Sequence, residues 1–217
     1  MTSLWSLAKE RKQPDFQYMD QETLDQIKLH KPIFGDPDKI FSLSSQEIEF
    51  ILDLAPKNTW YLQNEIISTI HGISHTIRVM IYAFILAKDN LDKKTMKALL
   101  LACALHDTQR QNDKGDEGHE ERVVAWFKKN FSDNENFSLV RDILDGKHNL
   151  ETYLRTADAL DRYRLPKVKW WIDDSYLQIV PDDSLKLFAF NLVICSEQNI
   201  LDGTDIKPSI TKGLVIL

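Results

Sequence analysis

Two adjacent residues, His106 and Asp107, close the apolar stretch LLLACAL at positions 99–105. An imidazole and a carboxylate at the end of a buried helix need partners. Charged groups leave water only when paired, hydrogen-bonded or bound to a metal. The doublet therefore reads as half of a metal site that other segments must complete. His75 stands three residues before Arg78 in HGISHTIRV, so the two share a helical face. His119 falls in the first turn of a helix starting near Gly118, and His148 follows a short helix, beside Gly146 and Asn149. Asp158 lies between two alanines, with room for a ligand, one turn before Asp161. Taken singly, His75 reads as a buried histidine satisfied by a carbonyl. Five of the six histidines, however, fall between 71 and 148, near helix ends or loops. Jointly they point to a metal or phosphate site.

Helices must position these groups. Ser44 or Ser45 caps a helix with Glu47 or Glu49 in its first turn, and Pro56 ends it. The pattern predicts further helices over Trp60–Ile70, 74–87 and 94–107, with Gly72 breaking the chain between the first two. The segment VMIYAFILA is apolar on nearly every side, as a central helix of a helical core would be. Helices from about Gly118, over 139–146, over 150–165 and from about Asp183 to 201 complete the prediction. Residues 1–43 hold a short helix around 21–30 and a loop marked by Pro32, Gly35 and Pro37. Residues 202–217 are turn-rich and carry no assignment. No stretch alternates with period two, so the class is all-α.

A chain of 217 residues can build one good core, or one core with a small extension. Its 43% apolar and 28% charged content is that of a globular chain rather than a disordered one. The longest apolar runs, Val79–Ala87 and Ala98–Leu105, are far short of the roughly 18 residues that span a bilayer. The first residues hold no apolar core of signal-peptide length. Cys103 and Cys195 lie in apolar helical surroundings, which fits packing roles and a reducing compartment. A cytoplasmic protein with no membrane partner is therefore expected. A net charge of −6 argues against an extended nucleic-acid surface.

The pattern H…HD…D resembles the HD-domain superfamily of metal-dependent phosphohydrolases. HGISHTIRV is similar to the helix opening that presents that family's first histidine ligand. LLACALHDTQRQND resembles its doublet helix and following loop, and RTADALDRYRL the segment with the last aspartate ligand. The resemblance covers about residues 60–170. It is specific for the superfamily and says little about substrate. It implies a helical HD-domain bundle at 59–201, an N-terminal extension at 1–58 packed on it, and a tail at 202–217. It also implies the metal ligands His75, His106, Asp107 and Asp158. Mixed imidazole and carboxylate ligation suits Mn, Fe, Co, Ni or Zn, and Mg less well. His119 and His148 stand where some members place two histidines for a second metal, and where others contact substrate phosphate.

The implied activity is that of a phosphomonoesterase or phosphodiesterase acting through a metal-bound water on a nucleotide or similar small phosphorylated molecule. Asp107 would hold the metal and orient the water, and His119 or His148 would serve as general acid. Arg78, Arg110 and Lys114 would clamp phosphate, with Arg78 foremost because it shares a face with His75. His71 would cap its helix, pair with Asp161 or touch substrate. Asp161 would orient a ligand histidine or pair with Arg162 or Arg164. The stretch RYRLPKVKWW, 162–171, reads either as a nucleotide-holding segment or as a solvated basic loop with its tryptophans against the core. Thr108-Gln109-Arg110 after the doublet differs from the run found in signalling hydrolases, so cyclic dinucleotides and guanosine tetraphosphate are less expected. Two other readings remain: a non-catalytic metal- or nucleotide-binding regulatory module, and a di-iron HD-type oxygenase.

Overall fold

The computed structural model describes residues 2–216, and among these it contains ten α-helices and no strand. They are α1 (Leu4–Lys9), α2 (Gln21–Leu29), α3 (Ser45–Asp53), α4 (Ile73–Ala87) and α5 (Lys93–Leu105). The second half adds α6 (His119–Asn130), α7 (Phe137–Leu144), α8 (Glu151–Leu160), α9 (Asp183–Leu201) and α10 (Ile206–Ile216). The expected all-α class is the class found. No helix among the described residues is long and apolar enough to cross a membrane.

The bundle is built around α4, in which every residue but Leu86 is buried. Helices α3, α5, α8, α9 and α10 pack against it. A helix apolar on all sides has no face to give to water, so neighbours must enclose it. The second half of α5, Ala98–Leu105, is buried throughout and carries the doublet into the interior. Truncating a core residue such as Leu100 to alanine would cost roughly 2–5 kcal/mol. Starts are chemically marked. Ser44 and Glu47 form a reciprocal capping box, and Asp20, Asp92 and Asp182 cap α2, α5 and α9.

Three segments differ from the sequence reading. Trp60–Ile70 is not an α-helix; it contains a 3-10 turn at Asn64–Ser68, after another at Asn58–Trp60. Its backbone donors are drawn outward, Leu62 N to Thr108 O at 2.9 Å and Ile70 N to Gln17 O at 2.9 Å. Gly72 then ends it, where a Cβ would lie 2.3 Å from Ile67 O. Only glycine allows that approach at the mouth of α4. The turn-rich end forms α10, which packs on α9 and α4. The N-terminal stretch forms α1 and an arm, residues 10–20, that reaches the doublet loop.

Candidate metal centre and its cleft

His75 enters from the first turn of α4, His106 caps the C-terminus of α5 with Asp107 after it, and Asp158 comes from α8. His75 Nε2 lies 3.2 Å from His106 Nε2, 3.5 Å from Asp107 Oδ2 and 3.4 Å from Asp158 Oδ1. His106 Nε2 lies 3.7 Å from Asp107 Oδ2 and 4.0 Å from Asp158 Oδ1. Ligand atoms on one ion with bonds near 2.1 Å sit about 3.0–3.4 Å apart in octahedral or tetrahedral arrangements. His75, His106 and Asp107 offer atoms that all lie within 4.8 Å of one another, and this group could hold a metal ion; Asp158 Oδ1 adjoins both imidazoles but falls outside the group.

The far nitrogens decide which way the rings coordinate. His75 Nδ1 donates to Asp161 Oδ2 at 2.9 Å, and His106 Nδ1 donates to Cys103 O at 2.7 Å. With a proton on each Nδ1, each neutral ring turns a lone pair inward from Nε2. Burial lowers the pKa of His106 and favours its neutral form. Burial alone would raise the Asp107 carboxyl, but His106 and His75, whenever either carries a second proton, and Arg110 outweigh it and hold it well below its ordinary value. Asp158 is likewise lowered, against burial, by His75, Arg164 and His106. Two lone pairs and two carboxylates thus adjoin one another, flanked by Arg110 Nη1, 3.3 Å from Asp107 Oδ1, and by Arg164 Nη2, 3.5 Å from His75 Nε2. A donor set of this kind fits a divalent cation.

Behind His75 two carboxylates, Asp161 and Glu197, share Arg78, and Arg164 Nη1 stands 3.6 Å from Asp161 Oδ2 as the second cation. Asp161 takes Arg78 Nε at 2.6 Å and Nη2 at 3.0 Å, as well as Tyr82 Oη at 3.3 Å. Arg78 Nη1 donates to Glu197 at 2.6 Å and to Ser196 at 3.1 Å. Arg78 is 0% exposed and lines no part of the cleft. This corrects the expectation that Arg78 clamps phosphate. The i, i+3 spacing placed it beside His75, but its guanidinium runs to the carboxylate that orients His75. Asp161 both orients His75 and pairs with Arg164, whose Nη1 lies 3.6 Å from Asp161 Oδ2 and donates to the Asp161 carbonyl at 3.0 Å.

Other sequence candidates divide. His119 Nε2 lies 3.4 Å from Asp107 Oδ1, while its Nδ1 donates to Asp116 O at 2.8 Å. Asp107 therefore faces two ways, Oδ2 to His75 and His106 and Oδ1 to His119. Arg110 Nη1 is 3.3 Å from the same Oδ1 and lines the cleft. Lys114 also lines the cleft and pairs with Asp15 at 2.8 Å. His148 is not brought to the centre. Its Nδ1 accepts from Leu150 N at 3.2 Å, and the cleft is lined near it by Asp145, Gly146 and Glu151 instead. The expected pairing of His119 with His148 is corrected accordingly.

The centre opens into a cleft of about 1510 Å³. Sequence reasoning missed much of its wall. His71 pairs with Asp113, not Asp161, through Nδ1 at 2.8 Å, and burial lowers its pKa to about 4. Asp113 also accepts from Thr69 Oγ1 at 2.9 Å and from Gln17 N at 2.7 Å, and its own N donates to Asp15 O at 2.7 Å. This ties the N-terminal arm to the doublet loop and sets Arg11, Lys12 and Gln17 along the cleft. No sequence signal announced the tie, because two of its bonds use backbone groups. Arg164 and Trp170 also line the cleft, whereas Trp171 is buried with its Nε1 on Leu165 O. The 162–171 segment therefore splits between the two readings given to it. Compared with known families, curated proteins and solved structures, the chain gives no match.

Proposed function

We propose that this chain is a metal-dependent phosphohydrolase acting on a small phosphorylated molecule. The observation that carries the reading is the convergence of His75 Nε2, His106 Nε2, Asp107 Oδ2 and Asp158 Oδ1 beside a cleft that Arg110 and Arg164 also line. Those four residues would hold the ion. When bound, a divalent cation supplies positive charge to a phosphoryl group and acidifies water. Arg164 and Arg110 take the role first given to Arg78, that of orienting phosphate by charge-assisted hydrogen bonds. His119, held through Nδ1 by Asp116 O, presents Nε2 as the atom that passes a proton to the leaving oxygen. Asp161 fixes the His75 tautomer so that Nε2 stays free to coordinate.

The placement of His148 favours one ion over a six-residue di-iron centre, and so favours the hydrolytic reading over the oxygenase reading. The substrate as a nucleotide, and Mn, Fe, Co, Ni or Zn as the metal, belong to this same proposal. Metal analysis of the purified protein, with phosphate release from p-nitrophenyl esters and nucleotides, tests it. Asp107→Ala is expected to lower turnover by at least about 100-fold. Full activity in that variant, or after chelation, would sink the proposal.

A further inference from the structure

The proposed reaction leaves one ring on the cleft wall without a task. His71 lines the cleft with its side chain 14% exposed, and its ring centre lies 6.0 Å from that of His75 at an interplanar angle of 85°. Its place is fixed at two points. His71 N donates to Thr69 Oγ1 at 3.3 Å, and in the ring Nδ1 donates to Asp113 Oδ1 at 2.8 Å. The Asp113 side chain is sealed from solvent and already holds Gln17 N and Thr69 Oγ1. The arm is therefore tied to the doublet loop without His71, and the tie does not account for an imidazole here. The other ring nitrogen, Nε2, has no partner among the described residues and is open to solvent. A proton held on Nδ1 by a carboxylate leaves Nε2 with a lone pair. Burial first, then Arg164 and Arg110, disfavour a second proton on the ring, against the pull of Asp113 and Asp107. The cleft wall thus carries a neutral acceptor in a fixed direction. It stands beside a group that holds phosphate. Arg164 donates through Nε to the carbonyl of Ile70, the residue before His71, while its Nη2 lies 3.5 Å from His75 Nε2. A phosphate touching Arg164 at the centre is flanked by His71. A lone pair repels an anionic oxygen, so the group it meets must bring a hydrogen. The neighbouring guanidiniums repel an ammonium, which leaves a neutral hydroxyl as the fitting donor.

We propose that His71 determines specificity, its Nε2 accepting a hydrogen bond from a hydroxyl on the second or third carbon of the substrate's ester chain. Such a hydroxyl lies about 4–6 Å from phosphorus, given bonds near 1.5 Å. That is the scale on which the His71 and His75 rings are separated. The substrate class is then a phosphate ester of a polyol or sugar, rather than of a plain alkyl alcohol. The phosphate end of this placement rests on the phosphohydrolase reading; the acceptor rests on the His71–Asp113 pair itself.

Glycerol 3-phosphate and n-propyl phosphate differ only in the two hydroxyls and serve as the test pair. Dissociation constants are read by calorimetry with Mn²⁺ and again in EDTA, and kcat/KM is read from phosphate release. The parent is expected to favour glycerol phosphate by at least about tenfold in both measures, because the deoxy ester leaves the acceptor unmet. His71→Asn offers Asp113 a donor in place of Nδ1 and lacks Nε2, so it should fold as the parent does and lose the preference. His71→Phe keeps a ring at the wall without an acceptor and should lose it too. Equal treatment of the two esters by the parent, or a preference that survives in His71→Asn, would overturn the proposal. Absence of phosphate release beside an intact binding preference would overturn the hydrolytic reading and uphold the hydroxyl site.

Discussion

The two nitrogens of His75 look onto opposite kinds of surroundings. On the Nδ1 side, Asp161, Glu197, Arg78, Tyr82 and Ser196 form a buried network in which Arg78, with Arg164 3.6 Å from Asp161, balances the two carboxylates. On the Nε2 side, three acceptors crowd the fourth, with one guanidinium at 3.5 Å. The first side is sealed from solvent, whereas the second opens on the cleft, where the Asp158 side chain is 34% exposed. A matched network holds a ring in place and has no need of a ligand. An unmatched one is costly in the folded chain and becomes favourable when a cation enters. One imidazole joins a scaffold to a site, and its tautomer carries the connection.

The largest expected effect breaks the matched side. Arg78→Met strands Asp161 and Glu197 in the interior and should cost roughly 3–5 kcal/mol in denaturant unfolding, with or without metal. A loss below about 1 kcal/mol would mean that the network is not the scaffold described. A smaller effect follows from His71. Burial lowers its pKa from 6.5 to about 4, so the folded protein keeps it neutral where the unfolded chain binds a proton. Its contribution is complete above the unfolded value and falls as pH drops from about 6.5 toward 4, by at most about 3 kcal/mol. Unfolding midpoints in EDTA should fall less steeply with acid in His71→Gln, and parallel slopes would refute the assignment. The smallest effect sharpens the unmatched side. Without metal, Asp107→Ala removes one acceptor from the crowd and should leave stability within about 1 kcal/mol of the parent. Mn²⁺ should then raise the melting temperature of the parent alone, since only its folded state binds the ion.

The central helix, the doublet at the end of α5 and the start of α4 at Gly72 were legible because each is local. Apolar periodicity, a polar pair ending a buried run and a breaker leave marks within a few residues. Asp158 and Asp161 were legible by their one-turn spacing. Arg78 misled because spacing fixes a helical face and says nothing of whether that face meets a cleft or a carboxylate. His148 misled because nearness to a helix end does not fix the direction of a ring. The 3-10 turn at Asn64–Ser68 and the arm were illegible for a shared reason. Their shape depends on backbone bonds to distant segments, Leu62 to Thr108 and Gln17 to Asp113, which no residue type announces.

The Asp113 carboxylate holds three donors from two segments, Gln17 N from the arm and Thr69 Oγ1 and His71 Nδ1 from the approach to α4. In terms of hydrogen exchange, this makes the arm and the approach to α4 one opening unit. The Gln17 amide can meet solvent only by abandoning the carboxylate that also fixes His71. Each opening of the arm therefore loosens a histidine at the cleft wall. The exchange lifetime of a single amide, far from the doublet in sequence, becomes a clock for how long that wall stays assembled.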